Sequence, residues 1–426
     1  MSVRRVLAMV LPAILATSSP DLHAQSSFTL SGYYKNFTIA SALPDYQKLI
    51  NNSAADLVGQ VTNRLLINAG WRANDHVRAD VSYNILPRIQ DRIFFIEDLI
   101  FVNTGALVYR VADLDLRLYP KEGEPASSFA VFQNLDRLFV TLSASKFDLY
   151  VGRQAIAWGA ARVINPLDVI APFLYTELDV EDRIGVDAVR LRAPLGQLNE
   201  LDIGYIAGED FDVAQSAFFL RSHLYLAPQD ITLLALAFRQ HALLGFDLAR
   251  GIGGAGFWLE AAYAWMEAFN SDVIGTGPDY LRLSTGIDYS FPGNVYGYVE
   301  YHFNGAGSND ASDYVDLLFT SPYTEASVYL LGKHYLSPGV IWAVSPLWNL
   351  GLNLLANLGD PSLLISPVVE YNIAENIYLE GGAFIGLGPA ADLQFVPGIP
   401  PDVDLTFNSE FGAAADFVYF SFRVYY

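Results

Sequence analysis

The last ten residues of the chain, FVYFSFRVYY (417–426), alternate between two sets of side chains. One set is entirely apolar or aromatic: Val418, Phe420, Phe422, Val424 and Tyr426. The other set accepts a serine and an arginine: Phe417, Tyr419, Ser421, Arg423 and Tyr425. Because successive side chains of a strand point to opposite faces, this period of two predicts a β-strand that separates two different environments.

The same design of alternating residues followed by a turn recurs along the chain. Residues 64–72 and 77–84 form one predicted hairpin, and residues 281–291 and 295–303 form another. A soluble β-sandwich would need a second sheet over every apolar face, whereas a closed barrel can leave that face to lipid. The pattern therefore predicts an all-β protein, a single transmembrane antiparallel up-and-down β-barrel.

The positions of the turns predict 18 strands, with 16 as the alternative. Short turns are expected near residues 74, 145, 195, 228, 252, 293, 345 and 374. Long loops are expected near residues 41–57, 88–131, 158–182, 269–278, 305–328 and 389–409. Short turns are typical of the periplasmic side of such barrels, so both termini are predicted to face the periplasm.

Composition supports a membrane barrel, since aromatic residues make up 14% of the chain and charged residues only 17%. A soluble domain needs more charge to cover its surface. The net charge of −21 argues against a nucleic-acid partner. The absence of cysteine excludes disulfides, thiolate metal sites and covalently bound haem, and histidine is sparse, so we expect no cofactor and no metal.

The N-terminus has the pattern of a secretory signal peptide. Arg4 and Arg5 precede a short apolar run over 6–16, and Leu22-His23-Ala24 is a plausible cleavage site. Residues 1–24 are therefore the predicted signal peptide, and residues 25–426 the predicted barrel. No other stretch approaches the roughly 18 uninterrupted apolar residues of a membrane-spanning helix.

A dense motif, GRQAIAWGAARVINPLDVIAP, occupies residues 152–172. Its pattern, GRQ-x3-WG followed by N-P-x-D, is carried by Gly152, Arg153, Gln154, Trp158, Gly159, Asn165, Pro166 and Asp168. The motif resembles that of a porin-like family of Gram-negative outer-membrane barrels, distantly akin to alginate-export and phosphate-selective porin-like barrels. The closing strand likewise resembles the C-terminal signature of outer-membrane barrels, which implies that Phe422 and Tyr426 act as an assembly signal.

The motif continues into a proline-pinned apolar stretch that is poorly suited to open water. We expect it to fold into the barrel mouth as a pore-constricting loop around residues 158–182. The residues expected to fix this loop are Trp158, Gly159, Asn165 and Pro166, and those expected at the constriction are Arg153, Gln154, Arg162 and Asp168. The alternative is that Arg153 and Asp168 form a structural ion pair that holds the loop.

Inward charges on other strands are predicted to line the lumen: Arg64, Arg78, Asp80, Arg137, Asp187, Arg190, Arg192, Glu200 and Asp202. Opposed charges across a lumen would create a transverse field, while the alternative is that they pair along the wall. Strict alternation would place Arg153 in lipid at a cost of roughly 2–4 kcal/mol. We therefore expect a bulge at Gly152 that turns Arg153 inward, and a similar switch between Val189 and Arg190.

Three weaker signals remain. The acidic run Glu177, Asp179, Glu181 and Asp182 could hold Ca²⁺, although a solvated loop face is the preferred interpretation. GIGGAG (251–256) matches a dinucleotide-binding pattern, but a predicted strand follows it instead of a helix, which favours a turn. Ser284 lies opposite His302, yet both are predicted to face the lumen and no GxSxG occurs, so we expect no enzyme.

These features predict an outer-membrane channel for passive diffusion of small solutes through a water-filled lumen. Two alternatives stay open: a substrate-specific export or uptake channel for a polysaccharide or hydrophobic compound, and a structural barrel plugged by its loops. The expected partners are membrane lipids and lipopolysaccharide, the outer-membrane assembly machinery and small solutes. A homo-oligomer also stays open.

Overall fold

The structure is a computed structural model that describes residues 26–50, 55–91, 109–121, 123–124, 128–269, 277–395 and 403–426. All structural statements below concern these residues. The predicted signal peptide and its cleavage site lie outside them. No helix in the described ranges is long and apolar enough to cross a membrane.

The strands, numbered in chain order, are β1 Ser27–Ala42, β2 Leu57–Asn74, β3 Val77–Gln90, β4 Arg117–Tyr119, β5 Phe129–Ala144, β6 Phe147–Gln154, β7 Val186–Leu195, β8 Asn199–Ile206, β9 Ala217–Leu226, β10 Gln229–Phe238, β11 His241–Ile252, β12 Ala255–Trp265, β13 Tyr280–Phe291, β14 Val295–Asn304, β15 His334–Ser345, β16 Trp348–Asn357, β17 Ser362–Ala374, β18 Ile377–Leu387, β19 Asp392–Phe395, β20 Val403–Thr406 and β21 Asp416–Tyr425. The short helices are α1 Asp45–Ile50, α2 Tyr314–Leu317 and α3 Ser321–Glu325.

Eighteen of these strands close into one antiparallel barrel, as the turn pattern predicts. Each strand pairs with its neighbours in the chain, and β1 closes the ring against β21 with Tyr33 opposite Tyr425. The short strand β4 pairs only with β5, and β19 pairs with β20 as a separate hairpin outside the ring. Closure leaves the barrel without a free sheet edge.

The connections alternate between the two ends of the barrel. All eight predicted short turns occur where expected, for example between Phe291 and Val295, where Gly293 and Asn294 adopt positive φ angles. The six predicted long loops join strand ends at the opposite end of the barrel, and parts of four of them lie outside the described residues. Three further connections at that end escaped prediction because they are short or compact: residues 207–216, 239–240 and 358–361.

The two faces of the closing strand differ as its sequence predicts. Val418 and Phe420 are 56% and 48% exposed on the outer wall, whereas Ser421 is fully buried inside. The same division holds in β13, where outward Ile287 is 52% exposed and inward Ser284 is fully buried. An apolar outer face with polar side chains inside is the arrangement of a membrane barrel.

The inner face departs from simple polarity in one sector. Apolar side chains of β9, β10 and β11 point inward and are buried: Phe219, Leu234, Leu236, Phe238 and Leu243. They pack against buried apolar residues of the segment that follows β6 and form a hydrophobic core inside the barrel. In this sector both faces of each strand are apolar because one meets lipid and the other meets that segment.

The predicted bulge at Gly152 is wrong. Pairing runs through Gly152 without a register shift, and Arg153 lies directly opposite Leu138 on one side and Asp187 on the other. The predicted switch between Val189 and Arg190 is also wrong, because β7 keeps its alternation throughout. The register shift in this region is in β5, where Arg137 pairs with Ser82 but Leu135 pairs with Tyr83.

Candidate functional site

Residues 155–185, which we call the inner segment, connect β6 to β7 and contact inward-facing side chains of distant strands. Several of its apolar residues are almost completely buried, including Ile156, Ile164, Leu167 and Ile170. Leu167 packs so closely against Gly245 of β11 that a Cβ there would come within 2.0 Å of the leucine side chain. The segment therefore lies against the inside of the barrel wall.

Glu260 on β12 holds the first part of the inner segment through backbone groups. Its carboxylate accepts hydrogen bonds from the N–H groups of Ala160 at 2.7 Å, Ala161 at 3.0 Å and Leu167 at 2.8 Å. The side chain is fully buried. Hydrogen bonds to a carboxylate are the stronger class, and these three engage both of its oxygens, while no salt bridge to Glu260 occurs among the described residues.

Glu300 on β14 makes a second carboxylate anchor beside the first. It accepts hydrogen bonds from the N–H groups of Arg162 at 2.8 Å, Val163 at 3.3 Å and Ile164 at 2.9 Å. The indole N–H of Trp258 donates to the same carboxylate at 2.9 Å. The backbone from residue 160 to residue 164 is thus bound to the wall at every residue.

The motif residues expected to fix the loop shape this anchor. Gly159 has a φ of +119°, and a Cβ there would lie 2.6 Å from Asn165 Oδ1 and 2.9 Å from Glu260 Oε1. Trp158 packs edge-on against Phe219 with ring centroids 4.9 Å apart, and Pro166 is buried. These contacts place a tight turn over Glu260 that only glycine fits.

The other end of the inner segment is bound by cations. Fully buried Lys35 on β1 lies 2.7 Å from Asp179 and 2.9 Å from Glu181, and Arg64 on β2 lies 2.7 Å from Asp179. Burial alone would raise the pKa of the Asp179 carboxyl, but Arg64 and Lys35 together hold it below its usual value. The segment therefore spans from β12–β14 to β1–β2.

The last strand joins the same ionic cluster. Arg423 on β21 lies 3.3 Å from Glu181, and the hydroxyl of Tyr425 donates to Glu181 at 2.5 Å. The hydroxyl of Tyr33 on β1 donates to Asp182 at 2.7 Å. Asp179, Glu181 and Asp182 of the acidic run thus contact side chains of the wall, while Glu181 remains exposed, so the interpretation of a solvated face holds only for part of the run.

Among the described residues, no group of three or more His, Asp or Glu side chains is arranged to hold a metal ion. Within the acidic run, the Asp179 and Glu181 carboxylates contact Lys35, Arg64 and Arg423.

Arg153 lies at the wall and is held on all sides. It pairs with Asp187 and lies 2.9 Å from Asp113, and its guanidinium also donates to the carbonyls of Leu135 at 3.0 Å and Ala112 at 2.7 Å. Only 5% of the residue is exposed. Residues 109–113 contact this end of β6 and β7, because the Val111 N–H donates to Asp187 and Arg153 donates to the Ala112 carbonyl.

Asp168 and Arg153 do not form the ion pair that we weighed for them. Asp168 is almost fully buried and pairs with Arg183 of the same segment. Burial raises the pKa of its carboxyl to about 6, although Arg183 and the wall residue Arg282 act in the opposite direction. The structure thus separates the two residues that sequence reasoning joined.

The remaining predicted residues are distributed along the inner wall. Arg162 is the exposed one, with its guanidinium 3.2 Å from Asp288, whereas Gln154 is buried and donates to the Ala188 carbonyl at 3.3 Å. The other arginines each pair with a carboxylate on their own or an adjacent strand: Arg78 with Asp80, Arg137 with Asp136, Arg190 with Asp202 and Arg192 with Glu200. These contacts favour the alternative in which wall charges pair.

The Ser284 hydroxyl and His302 Nδ1 lie 2.8 Å apart, which brings together the pair weighed for an enzyme. The hydroxyl also donates to the carbonyl of Ile164 at 2.6 Å, so the inner segment covers it. Both residues are buried. Ser284 and His302 therefore form a hydrogen-bonded contact between the wall and the inner segment, next to the residues that Glu300 binds.

A second buried acidic cluster joins three loops at the same end of the barrel. Glu410 accepts hydrogen bonds from the Leu331 N–H at 3.0 Å, from Asn357 at 2.9 Å and from the Tyr335 hydroxyl. Its own N–H donates to Asp360 at 2.9 Å. This cluster was not predicted, because its members lie in different connections and strands and no local pattern joins them.

Comparisons with known proteins identify the fold. No family model and no curated protein matches the chain. Among solved structures, a variant of OccD1 (OprD) matches with a TM-score of 0.54 and 9% identity, covering 95% of this chain and 96% of that chain. OccAB1 of Acinetobacter baumannii matches with a TM-score of 0.54 and 9% identity, covering 96% and 99% of the two chains.

OccD3 (OpdP) of Pseudomonas aeruginosa is similar to the same degree, with a TM-score of 0.52, 9% identity and 97% of each chain covered. At such identities the likeness shows the fold. The chain has the 18-stranded barrel fold of Gram-negative outer-membrane porins.

Proposed function

We propose that this protein is an integral outer-membrane channel of a Gram-negative bacterium, through which small solutes diffuse passively, and that the inner segment constricts its lumen. The observation that carries the proposal is the course of that segment. It crosses between opposite parts of the wall and is bound at one end by Glu260 and Glu300 and at the other by Lys35, Arg64 and Arg423.

The barrel half next to the short turns supports a water-filled lumen. Its inward side chains include Arg192 and Glu370, which are partly exposed, and Asn349, which is exposed. Polar interiors of this kind hydrate a channel. The outer wall, by contrast, exposes large apolar side chains to lipid, which supports a location in the membrane.

The resemblance of the motif to porin-like barrels akin to alginate-export and phosphate-selective porin-like channels supports the same class of function. The structural likeness to Occ porins is consistent with it. In this proposal, lipids and lipopolysaccharide surround the outer wall and the assembly machinery reads the C-terminal strand. A homo-oligomer stays an open alternative.

Single-channel recording of the refolded mature chain in a planar bilayer tests the proposal. We expect discrete conductance steps, and a salt gradient then gives the ion preference from the reversal potential. A folded barrel is identified beforehand by its altered gel mobility before heating. Silence from such a preparation would overturn the channel assignment.

A further inference from the structure

From these contacts we infer that Glu260 and Glu300 are positioning residues that set the aperture of the channel by binding the backbone of the inner segment. This inference rests on the proposed channel function. It shifts the control of the aperture from the charged side chains of the motif to two carboxylates on distant strands, neither of which belongs to the motif.

The geometry assigns the role to both residues together. Six consecutive or nearby N–H groups, from residues 160–164 and from Leu167, point at two carboxylates that lie on alternate strands of the wall. Backbone N–H groups that converge on one anion form a concave binding site, and here a side chain of the wall occupies it. The position of the segment therefore depends on the reach and charge of Glu260 and Glu300.

Backbone recognition has a consequence for the motif. The side chains of Ala160 and Ala161 need only be small enough to allow the turn, since their N–H groups make the contacts. Gly159 is required, because a side chain there would collide with Asn165 and Glu260. The motif thus supplies a backbone shape, and the wall supplies the charge that captures it.

Replacing the carboxylate of Glu260 or Glu300 should weaken its binding to the backbone N–H groups of the inner segment. A glutamine at either position offers one acceptor oxygen and an NH₂ group that opposes the N–H donors of the segment. An aspartate retains the charge but is shorter by one methylene group. E260Q and E260D should therefore release the segment to a similar degree, although only the first changes the charge of the lumen.

The matched control is D247N. Asp247 on β11 lies directly opposite Glu260, faces inward and is buried, but its carboxylate makes no hydrogen bond to the inner segment within the described ranges. If the negative charge of the lumen alone set the conductance, D247N would have the same effect as E260Q. If the hydrogen bonds that hold the inner segment set the conductance, D247N should leave it unchanged.

The position of the segment can be read without ion flow. The chain has no cysteine, so A171C introduces a single thiol at a residue that is only 3% exposed in the inner segment. In the otherwise unchanged protein, a membrane-impermeant maleimide should label this thiol slowly. In the E260Q, E260D and E300Q backgrounds the labelling rate should rise about tenfold or more, because each change removes hydrogen bonds to a charged acceptor.

Single-channel conductance of the same variants completes the test, with a rise of about twofold or more expected for E260Q, E260D and E300Q. Unchanged labelling in folded variants would overturn the inference whether or not the protein conducts. Faster labelling with unchanged conductance, in a barrel that conducts, would show that the anchors hold the segment but do not set the aperture. Silence of the parent protein would instead refute the channel assignment.

Discussion

Arg153 binds Asp187 through two hydrogen bonds, from Nε at 2.8 Å and from Nη2 at 3.1 Å. The two residues are direct neighbours across β6 and β7. Asp187 also accepts a hydrogen bond from the Val111 N–H at 2.9 Å. The pair therefore fastens residues 109–113 to the wall and is a structural latch.

The first prediction concerns this latch. R153M should destabilise the barrel by roughly 3 kcal/mol, because the substitution leaves the partly buried Asp187 carboxylate without its cation. The temperature at which the barrel unfolds, followed by its gel mobility, should fall. Ion selectivity should stay unchanged, since Arg153 is buried. R250M, at an exposed arginine on β11, is the control and should change neither property. Altered ion selectivity in folded R153M would contradict the latch role and would support a position of Arg153 at the constriction.

The second prediction concerns the seam between the first and last strands. The acidic end of the inner segment binds Lys35 on β1 and Arg423 on β21, so it bridges the two strands whose pairing closes the barrel. K35M should leave Asp179 and Glu181 without their most buried partner and lower the stability by roughly 3 kcal/mol. We expect hydrogen exchange to quicken in β1 and β21 before other strands. Uniform exchange along the whole barrel would contradict the seam role.

The third prediction is a pH dependence of loop packing. Burial raises the pKa of Glu410 from 4.5 to about 7, against the effect of its hydrogen bonds from Tyr335, Leu331 and Asn357. The folded state thus binds the proton more tightly than the unfolded chain. Its contribution of roughly 3 kcal/mol is complete below the unfolded pKa and is lost as pH rises through the folded pKa.

Hydrogen exchange of residues 403–415 measures this effect, with rates corrected for intrinsic pH dependence. Protection should be greater near about pH 4.5 than near about pH 8. E410Q keeps a neutral side chain of the same shape at both values, so the difference should vanish. A difference that persists in E410Q would assign the pH dependence to another group.

The barrel was predictable because its alternation is a local property of each strand. Ile287 outside and Ser284 inside follow from their positions in one ten-residue pattern, and the turn at Gly293 and Asn294 has residue types that accept positive φ angles. These predictions required no knowledge of neighbouring strands.

The contacts of the inner segment were not predictable in the same way, because they join residues that are far apart in the chain. Glu260 and Ala160 are separated by 100 residues, and Lys35 and Asp179 by 144. Charge and spacing suggested Asp168 as the partner of Arg153, but only the folded chain shows that Arg183 takes that place. A sharper signal was available in β9–β11, where apolar residues on both faces indicate a second buried surface.

The last prediction concerns the C-terminal residue. The N–H of Tyr426 donates to the Gly32 carbonyl at 3.0 Å, the Gly32 N–H donates back at 3.0 Å, and the Tyr426 hydroxyl donates to the Leu66 carbonyl at 3.1 Å. Deleting Tyr426 removes these bonds from the end of the seam and removes half of the predicted assembly signal. We expect slower closure during refolding in detergent, and a larger loss of assembled barrel in cells than in detergent. Y289A removes an outward aromatic side chain from β13 and keeps the seam, so it should assemble normally. Equal losses in detergent and in cells would mean that Tyr426 acts only through the seam and is not read by the assembly machinery.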